Sequence, residues 1–295
     1  MKHFGTSQHH RLVLFTDIDG TLTDHHNYSL SGAQEALSRL ADCDVPLIFC
    51  SSKTFAEQWH LQKKTGLRWP MILENGSAVA LPRQLFPKLP RQPDPLPDST
   101  MAEALEKAQF DLFVFAHSDA LALRNELGLF PGIKSFFNAS DSELSAATNL
   151  RGSSLRRARQ RWYTETIIGF DRADQQAQLQ AQLTKKGWVL SQGGRFFTIQ
   201  SANVDKGNAV RWMSEVFRQN TAVSLTFAAV GDSLNDIPML AAADLPFLVR
   251  QHQGEWISTS IEGLMRVDGI GPAGFAAAVA IMLGPADYSR LDAVS

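Results

Sequence analysis

Two carboxylates stand two residues apart where an apolar run stops: Leu12-Val13-Leu14-Phe15-Thr16 leads into Asp17-Ile18-Asp19-Gly20-Thr21. At an extended strand end, residues i and i+2 share a face, so Asp17 and Asp19 can converge on one point while Ile18 packs inward. Gly20 allows a sharp turn, and the amides that follow can form a small anion-binding nest. A second junction repeats the pattern: Val223 to Val230 is strand-like and ends in Gly231-Asp232-Ser233-Leu234-Asn235-Asp236, an acid pair four apart entering a helix. Lys206 heads another helix directly after Asp205. Four carboxylates, Asp17, Asp19, Asp232 and Asp236, would repel a phosphate dianion unless cations offset them. Mg²⁺ suits such hard oxygen ligands, and Lys206 adds a second positive charge. Positioning and charge neutralisation are what phosphoryl transfer mainly requires. The plain alternatives are an Asp-Gly turn at the first junction and helix-start acids answering the dipole at the second.

The elements that must hold these groups are also legible. Leu12 to Phe15 has no polar alternation, as expected of a central strand in a parallel sheet covered on both faces, whose carboxyl edge carries the chemistry. Val45 to Cys50 is a second such strand ending in Ser51-Ser52-Lys53-Thr54, where the Ser51 hydroxyl can donate to a phosphate oxygen over Asp17. Ser31 with Gln34, and Thr54 with Glu57, have the spacing of capping boxes. Met71–Leu73 and Ser77 to Leu81 flank Glu74-Asn75-Gly76, a hairpin signal. Six prolines from Pro82 to Pro97 exclude regular core structure and mark a boundary. Beyond it, helical stretches near 100–109, 120–128, 141–148, 153–162 and 172–186 mix with strand-like segments at 164–170, 188–192 and 195–200. The last two form a hairpin around Gly193-Gly194. This breaks the βα rhythm and predicts an insertion. The expected architecture is α/β, a doubly wound parallel sheet with an inserted α+β cap: core 1–82 and 202–295, cap 83–201. An irregular loop follows Phe247-Leu248-Val249, and a last helix begins at Pro272.

Composition narrows the classes of function. With 28 Lys+Arg against 30 Asp+Glu, the chain lacks the basic surplus of a nucleic-acid binder. The run Arg151, Arg156, Arg157, Arg159, Arg161 is the local exception, either a solvated helix face or a substrate contact. Two cysteines, Cys43 and Cys50, do not make a disulfide framework, and a reducing, cytoplasmic setting is expected. No apolar run is long enough to span a membrane, and no export signal is recognisable. His9 and His10 read as part of a disordered polar leader.

A strand ending in DxDGT, with the partners above, resembles the haloacid dehalogenase superfamily of phosphohydrolases. The stretches FTDIDGTLTDHHNYS, LIFCSSKT, ILENGSAV, RWYTET, GGRFFTIQSANVDKGNAV, GDSLNDIPML and GIGPAGF are further similar to its mannosyl-3-phosphoglycerate phosphatase family. The resemblance implies that Asp17 is the nucleophile, forming an aspartyl phosphate. It also implies that Asp19 is the general acid and then the general base. Ser51 and Lys206 would hold phosphate, and Mg²⁺ would be bound by Asp17, Asp19 through its backbone carbonyl, Asp232 and Asp236. Lys53, Glu74, Asn75, Gly76, Gly194, Arg195 and Asn235 would meet the substrate, with Arg161 as a further candidate. An acid rather than a hydroxyl at position 19 favours a hydrolase over an ATPase. The family releases phosphate from a hexosyl-phosphoglycerate to give the compatible solute mannosylglycerate. The chain departs from the family at Thr164-Glu165-Thr166, where Ser-Glu-Pro is expected, and 83–150 gives no match. Glucosyl-3-phosphoglycerate, another phosphorylated sugar, a phosphohexomutase and a silent sugar-phosphate sensor therefore stay open, as does the oligomeric state.

Overall fold

A computed structural model of the chain describes residues 11–96 and 99–284; His9, His10 and Pro97 lie outside the described residues. In chain order the strands are β1 (Arg11–Thr16), β2 (Leu47–Cys50), β3 (Met71–Leu73), β4 (Ala78–Pro82), β5 (Phe110–Val114), β6 (Ile133–Ser135), β7 (Glu165–Phe170), β8 (Trp188–Gly193), β9 (Phe196–Ser201), β10 (Leu225–Gly231), β11 (Leu245–Arg250) and β12 (Met265–Ile270). The helices are α1 (Gln34–Asp42), α2 (Phe55–Thr65), α3 (Ser99–Ala108), α4 (Ala120–Leu127), α5 (Asp141–Thr148), α6 (Gly152–Ala158), α7 (Gln175–Lys185), α8 (Lys206–Gln219), α9 (Ile237–Ala241) and α10 (Pro272–Leu283).

The uninterrupted apolar run of β1 follows from two covered faces. Val13 and Phe15 pack with Val210, Met213 and Phe217 of α8 on one side. Leu14 packs with Leu40 of α1 and Phe275 of α10 on the other. The sheet runs β12-β11-β10-β1-β2-β3-β4-β5. It is parallel from β12 to β3 and antiparallel across β3, β4 and β5. This is the expected doubly wound α/β core. The register that matters pairs Thr16 of β1 with Val230 of β10. The Asp17 amide continues the ladder to the Val230 carbonyl at 3.0 Å, so the two strand-to-acid junctions end side by side.

A second sheet, antiparallel in the order β6-β7-β9-β8, forms the inserted α+β cap. Leu123, Leu127, Leu179 and Leu183 of α4 and α7 bury against Ile167 and Ile199 of this sheet. Leu144 and Leu155 of α5 and α6 close over Phe136.

Four local expectations are corrected. The stretch 83–114 does not pair with the cap: β5 joins β4 in the large sheet from Ala78↔Val114 to Pro82↔Phe110. We therefore propose the cap as about 117–201. The proline-rich segment is not a free boundary but is folded onto the core. Phe86 meets Phe217 with centroids 5.0 Å apart, and Asp94 accepts from the Val114 amide at 2.7 Å, covering the β5 edge. β12 occupies part of the stretch read as irregular loop; its Val267 is buried while Arg266 and Asp268 are exposed, too short a pattern to read from sequence. Finally, Ser31 opens a single 3₁₀ turn without a side-chain cap, its own amide bonding to Ser29 Oγ at 3.2 Å. The Thr54 and Glu57 capping box does form.

Candidate active site

The centre is built where β1, β10 and the start of α8 meet. Lys206 is the first residue of α8, whose cap is Asp205 Oδ1 accepting from the Asn208 amide at 2.7 Å. A cation there opposes the helix dipole, and the side chain is fully buried, so it needs acids. Lys206 Nζ donates to Asp17 Oδ1 at 2.6 Å and Asp236 Oδ1 at 2.5 Å. Burial works against the Lys206 charge, but Asp17 and Asp236 outweigh it and raise its pKa. Asp236 Oδ2 accepts from the amides of Asp232 (3.1 Å) and Ser233 (3.0 Å) and from Ser233 Oγ (3.0 Å). Thr21 Oγ1 donates to Asp232 Oδ1 at 3.0 Å. Gly20 has φ +82°, and a Cβ there would stand 2.7 Å from Asp232 Oδ2. Only glycine lets the loop after β1 come this close to the second junction.

Asp17, Asp232 and Asp236 are all buried, and each places a carboxylate oxygen within 4.8 Å of the others. Three carboxylates against one ammonium leave two negative charges in a dry site. Burial pushes the Asp17 carboxyl up to about 7, with Lys206 pulling down and Asp236 pushing up. Burial, then Asp236 and Asp17, raise Asp232 as well. An all-oxygen donor set short of two positive charges fits a hard divalent cation such as Mg²⁺.

The Asp19 carboxylate lies outside this cluster and faces a cleft of about 800 Å³, part of it open to solvent. Lys53 Nζ reaches Asp19 Oδ2 at 2.9 Å and Glu57 Oε1 at 3.4 Å, and sits 4.9 Å from the centroid of the Tyr28 ring. Tyr28 Oη donates to the Thr148 carbonyl at 2.8 Å and accepts from Arg195 Nη2 at 3.1 Å, so a core loop clasps the cap. Arg161, Thr166, Thr198 and the tip Gly193-Gly194-Arg195 line the cap side.

Of the residues singled out in the sequence, Asp17, Asp19, Lys53, Gly194, Arg195 and Asn235 line this cleft, and Lys206, Asp232 and Asp236 lie beneath it. Ser51 is enclosed at the end of β2; its Oγ accepts from the Lys53 amide at 3.4 Å, and its neighbour Ser52 reaches the cleft. Glu74 is not brought to the cleft. Both its oxygens are spent on cap donors: the Trp162 amide (2.8 Å), the Tyr163 amide (3.1 Å), the Thr164 amide (2.9 Å) and Thr164 Oγ1 (2.7 Å). Asn75 bridges Gln200 Oε1 (3.0 Å) and Asn235 Nδ2 (3.1 Å), again a core-to-cap tie. Gly76 packs on the Asp205 carbonyl, 2.2 Å from where a Cβ would be. The basic run is divided: Arg151 and Arg156 are exposed, Arg159 bonds the Phe136 and Ala139 carbonyls, and Arg161 turns into the cleft. Tyr28 and His25 went unassigned in the sequence, although the polar run Asp24-His25-His26-Asn27-Tyr28-Ser29 so soon after Asp19 was the signal for them. Thr166 and Thr198 carried no local signal, because only the β7-β9 pairing aims them into the cleft.

The haloacid dehalogenase-like hydrolase family matches residues 14–257. A glucosyl-3-phosphoglycerate/mannosyl-3-phosphoglycerate phosphatase of Methanococcoides burtonii is 33% identical over 277 residues, covering 92% of this chain and 97% of the relative. One of the same description from Persephonella marina is 31% identical over 269 residues, covering 90% and 94%. Among solved structures, a haloacid dehalogenase-like hydrolase from Bacteroides thetaiotaomicron superposes with TM-score 0.63 at 13% identity, covering 93% of this chain and 100% of that one. The sucrose-phosphatase of Synechocystis, in complex with sucrose and phosphate, gives 0.57 at 16% identity, covering 92% and 98%. At such identities the structures show a shared fold.

Proposed function

The chain belongs to the haloacid dehalogenase-like hydrolase family and is a phosphatase, and from that premise we propose that it cleaves a hexosyl-3-phosphoglycerate, mannosyl or glucosyl, to the hexosylglycerate and phosphate. The observation that carries this reading is the buried Asp17-Lys206-Asp236-Asp232 cluster at the floor of a cleft that the cap roofs with cationic and hydroxyl groups.

Lys206 takes up one oxygen of Asp17 and holds the carboxylate in one orientation. The other oxygen attacks phosphorus, the ester P–O bond breaks, and the leaving oxygen takes a proton from Asp19. Asp19 then removes a proton from water, which attacks the phosphorus and frees Asp17. Lys53 fixes the Asp19 carboxylate for both transfers. Asp17, the Asp19 carbonyl and Asp232 would hold Mg²⁺, which when bound supplies charge neutralisation for the phosphate. Asp236, with both oxygens committed, braces Lys206 and the turn after β10 instead of serving the ion directly.

Both cysteines are free, and among the described residues no helix is long and apolar enough to cross a membrane; these features support action in the cytoplasm. The test of substrate is phosphate release from mannosyl- and glucosyl-3-phosphoglycerate, sucrose 6-phosphate and simple hexose phosphates. The highest kcat/KM is expected on a hexosyl-phosphoglycerate. A highest kcat/KM on any sugar phosphate lacking the glycerate would overturn the assignment.

A further inference from the structure

Arg161 is the one buried arginine among the described residues, 8% exposed, and it lines the cleft. Its hydrogen bonds go to neutral groups: Nη1 donates to the Ser52 carbonyl at 3.2 Å and to Thr164 Oγ1 at 2.8 Å. Nε is buried without a partner, and the guanidinium lies 5.5 Å from the Phe136 ring centroid. Glu57 and Glu74 are near enough to feel its charge, but neither bonds to it. Glu57 is spent on Lys53 and Thr54, and Glu74 on the 162–164 donors. A guanidinium taken out of water without a hydrogen-bonded carboxylate is costly, and such a cost is offset when an anion arrives. Thr166 of β7, 5% exposed, lines the same cleft with its own hydroxyl buried and unpartnered.

The phosphate is accounted for at the Asp17 end. We infer that Arg161 and Thr166 form a carboxylate subsite, so that the enzyme selects phosphomonoesters that carry a second, carboxylic acid group. A planar carboxylate matches the free edge of a fixed guanidinium better than a sugar hydroxyl does. Arg195 is a weaker choice for this role, because it is exposed at the hairpin tip and already bonded to Tyr28. The inference rests on the proposed hexosyl-phosphoglycerate reading and names the group by which neutral sugar phosphates are refused.

The test uses calorimetric titration of the Asp17→Asn protein in Mg²⁺, where turnover is blocked, with D-3-phosphoglycerate and sn-glycerol 1-phosphate, which share the same C2 configuration. These probes differ only in a carboxylate against a hydroxymethyl group. The acid is expected to bind about 10- to 100-fold tighter, the span of a charge-assisted hydrogen-bonded pair. Arg161→Met on that background should bring the ratio to within about threefold, with Arg161→Lys keeping part of it. Equal affinities in the parent, or a preference that survives Arg161→Met, would overturn the subsite. If Arg161→Met fails to fold, Thr166→Val and Arg161→Lys read the same ratio, and an undiminished ratio in both overturns it equally. The turnover screen with wild-type enzyme judges the hexosyl-phosphoglycerate reading separately, since either result can fail while the other stands.

Discussion

Asp19 and Asp17 are two residues apart and chemically alike, yet the structure gives them opposite surroundings. Asp17 is buried against Lys206; Asp19 faces the cleft beside Lys53. In the proposed mechanism the proton shuttle must meet both leaving group and water, and that role goes to Asp19 as the more exposed of the two. Asp19→Asn is expected to slow turnover by about 10²- to 10⁴-fold, the usual worth of general acid-base help. Labelled phosphate should accumulate on Asp17 if the second step suffers more; a loss below tenfold in a single-turnover assay would remove Asp19 from the mechanism. Asp232 makes a different claim. As one of three buried carboxylates facing a single ammonium, it should destabilise the metal-free protein, so Asp232→Asn is expected to raise the unfolding midpoint in chelator. The wild type should gain about 2.7 kcal/mol from Mg²⁺ at a hundredfold excess over its Kd, and the variant close to nothing. An Asp232→Asn protein that melts lower in chelator and still responds to Mg²⁺ would show that the acids are mutually satisfied without an ion. All five of these charged positions stood out in the sequence because strand ends and a helix start fix them locally. Glu74 was misplaced for the opposite reason: its partners are amides of the distant 162–164 segment, and nothing in Glu74-Asn75-Gly76 announces them.

Among the elements, those with a continuous hydrophobic signal were legible: β1, β2, the β3-β4 hairpin, β10 and the β8-β9 hairpin all lie where the pattern puts them. β5 escaped because the prolines before it suggested a linker, whereas that segment covers the β5 edge with Asp94 and Arg91. What the sequence does not carry is how closely the elements approach. The turn between β3 and β4 touches the first residues of α8 at Gly76, where φ is +92° and a Cβ would fall 2.2 Å from the Asp205 carbonyl and 3.2 Å from the Lys206 nitrogen. Both atoms are backbone and cannot swing aside. Gly76→Ala should therefore cost about 1–3 kcal/mol of stability. It should also lower kcat by displacing the start of α8, and with it Lys206. Denaturant unfolding alongside kcat measures both, and an alanine variant with native stability and native kcat would mean that the turn and α8 can separate freely.

For the whole molecule, the question is what can move. A lid of 83–201 swinging on hinges at its two ends does not match this architecture, since the segment from 83 packs on the core and ends in β5 of the large sheet, and the cap has a third attachment. Besides the crossings tied together by the His117 amide on Ser201 Oγ, the segment 161–164 is fastened to the core. Glu74 holds its amides, Trp162 stacks on Phe55 at 5.4 Å, and Tyr163 is buried with Met101 and Phe110. The β8-β9 tip is held more lightly: among the described residues its hydrogen bond to the core is that of Arg195 to the Tyr28 hydroxyl, which also bonds Thr148, while Gly193 packs against the Asn235 side chain. Anchor and clasp are thus different parts, and they should fail separately. Tyr28→Phe is expected to cost about 1 kcal/mol or less, to speed amide hydrogen exchange around 193–196 and to raise KM, because substrate must then close the tip unaided. Glu74→Gln turns an NH₂ toward donors that need an acceptor, at about 1–3 kcal/mol for each group left unpaired. It should lower the unfolding midpoint and speed exchange at 162–164 while leaving 193–196 protected. If either substitution loosened both segments together, the cap would be one rigid lid after all, and Arg161, next to the anchor, would move with Arg195 instead of waiting in place for its carboxylate.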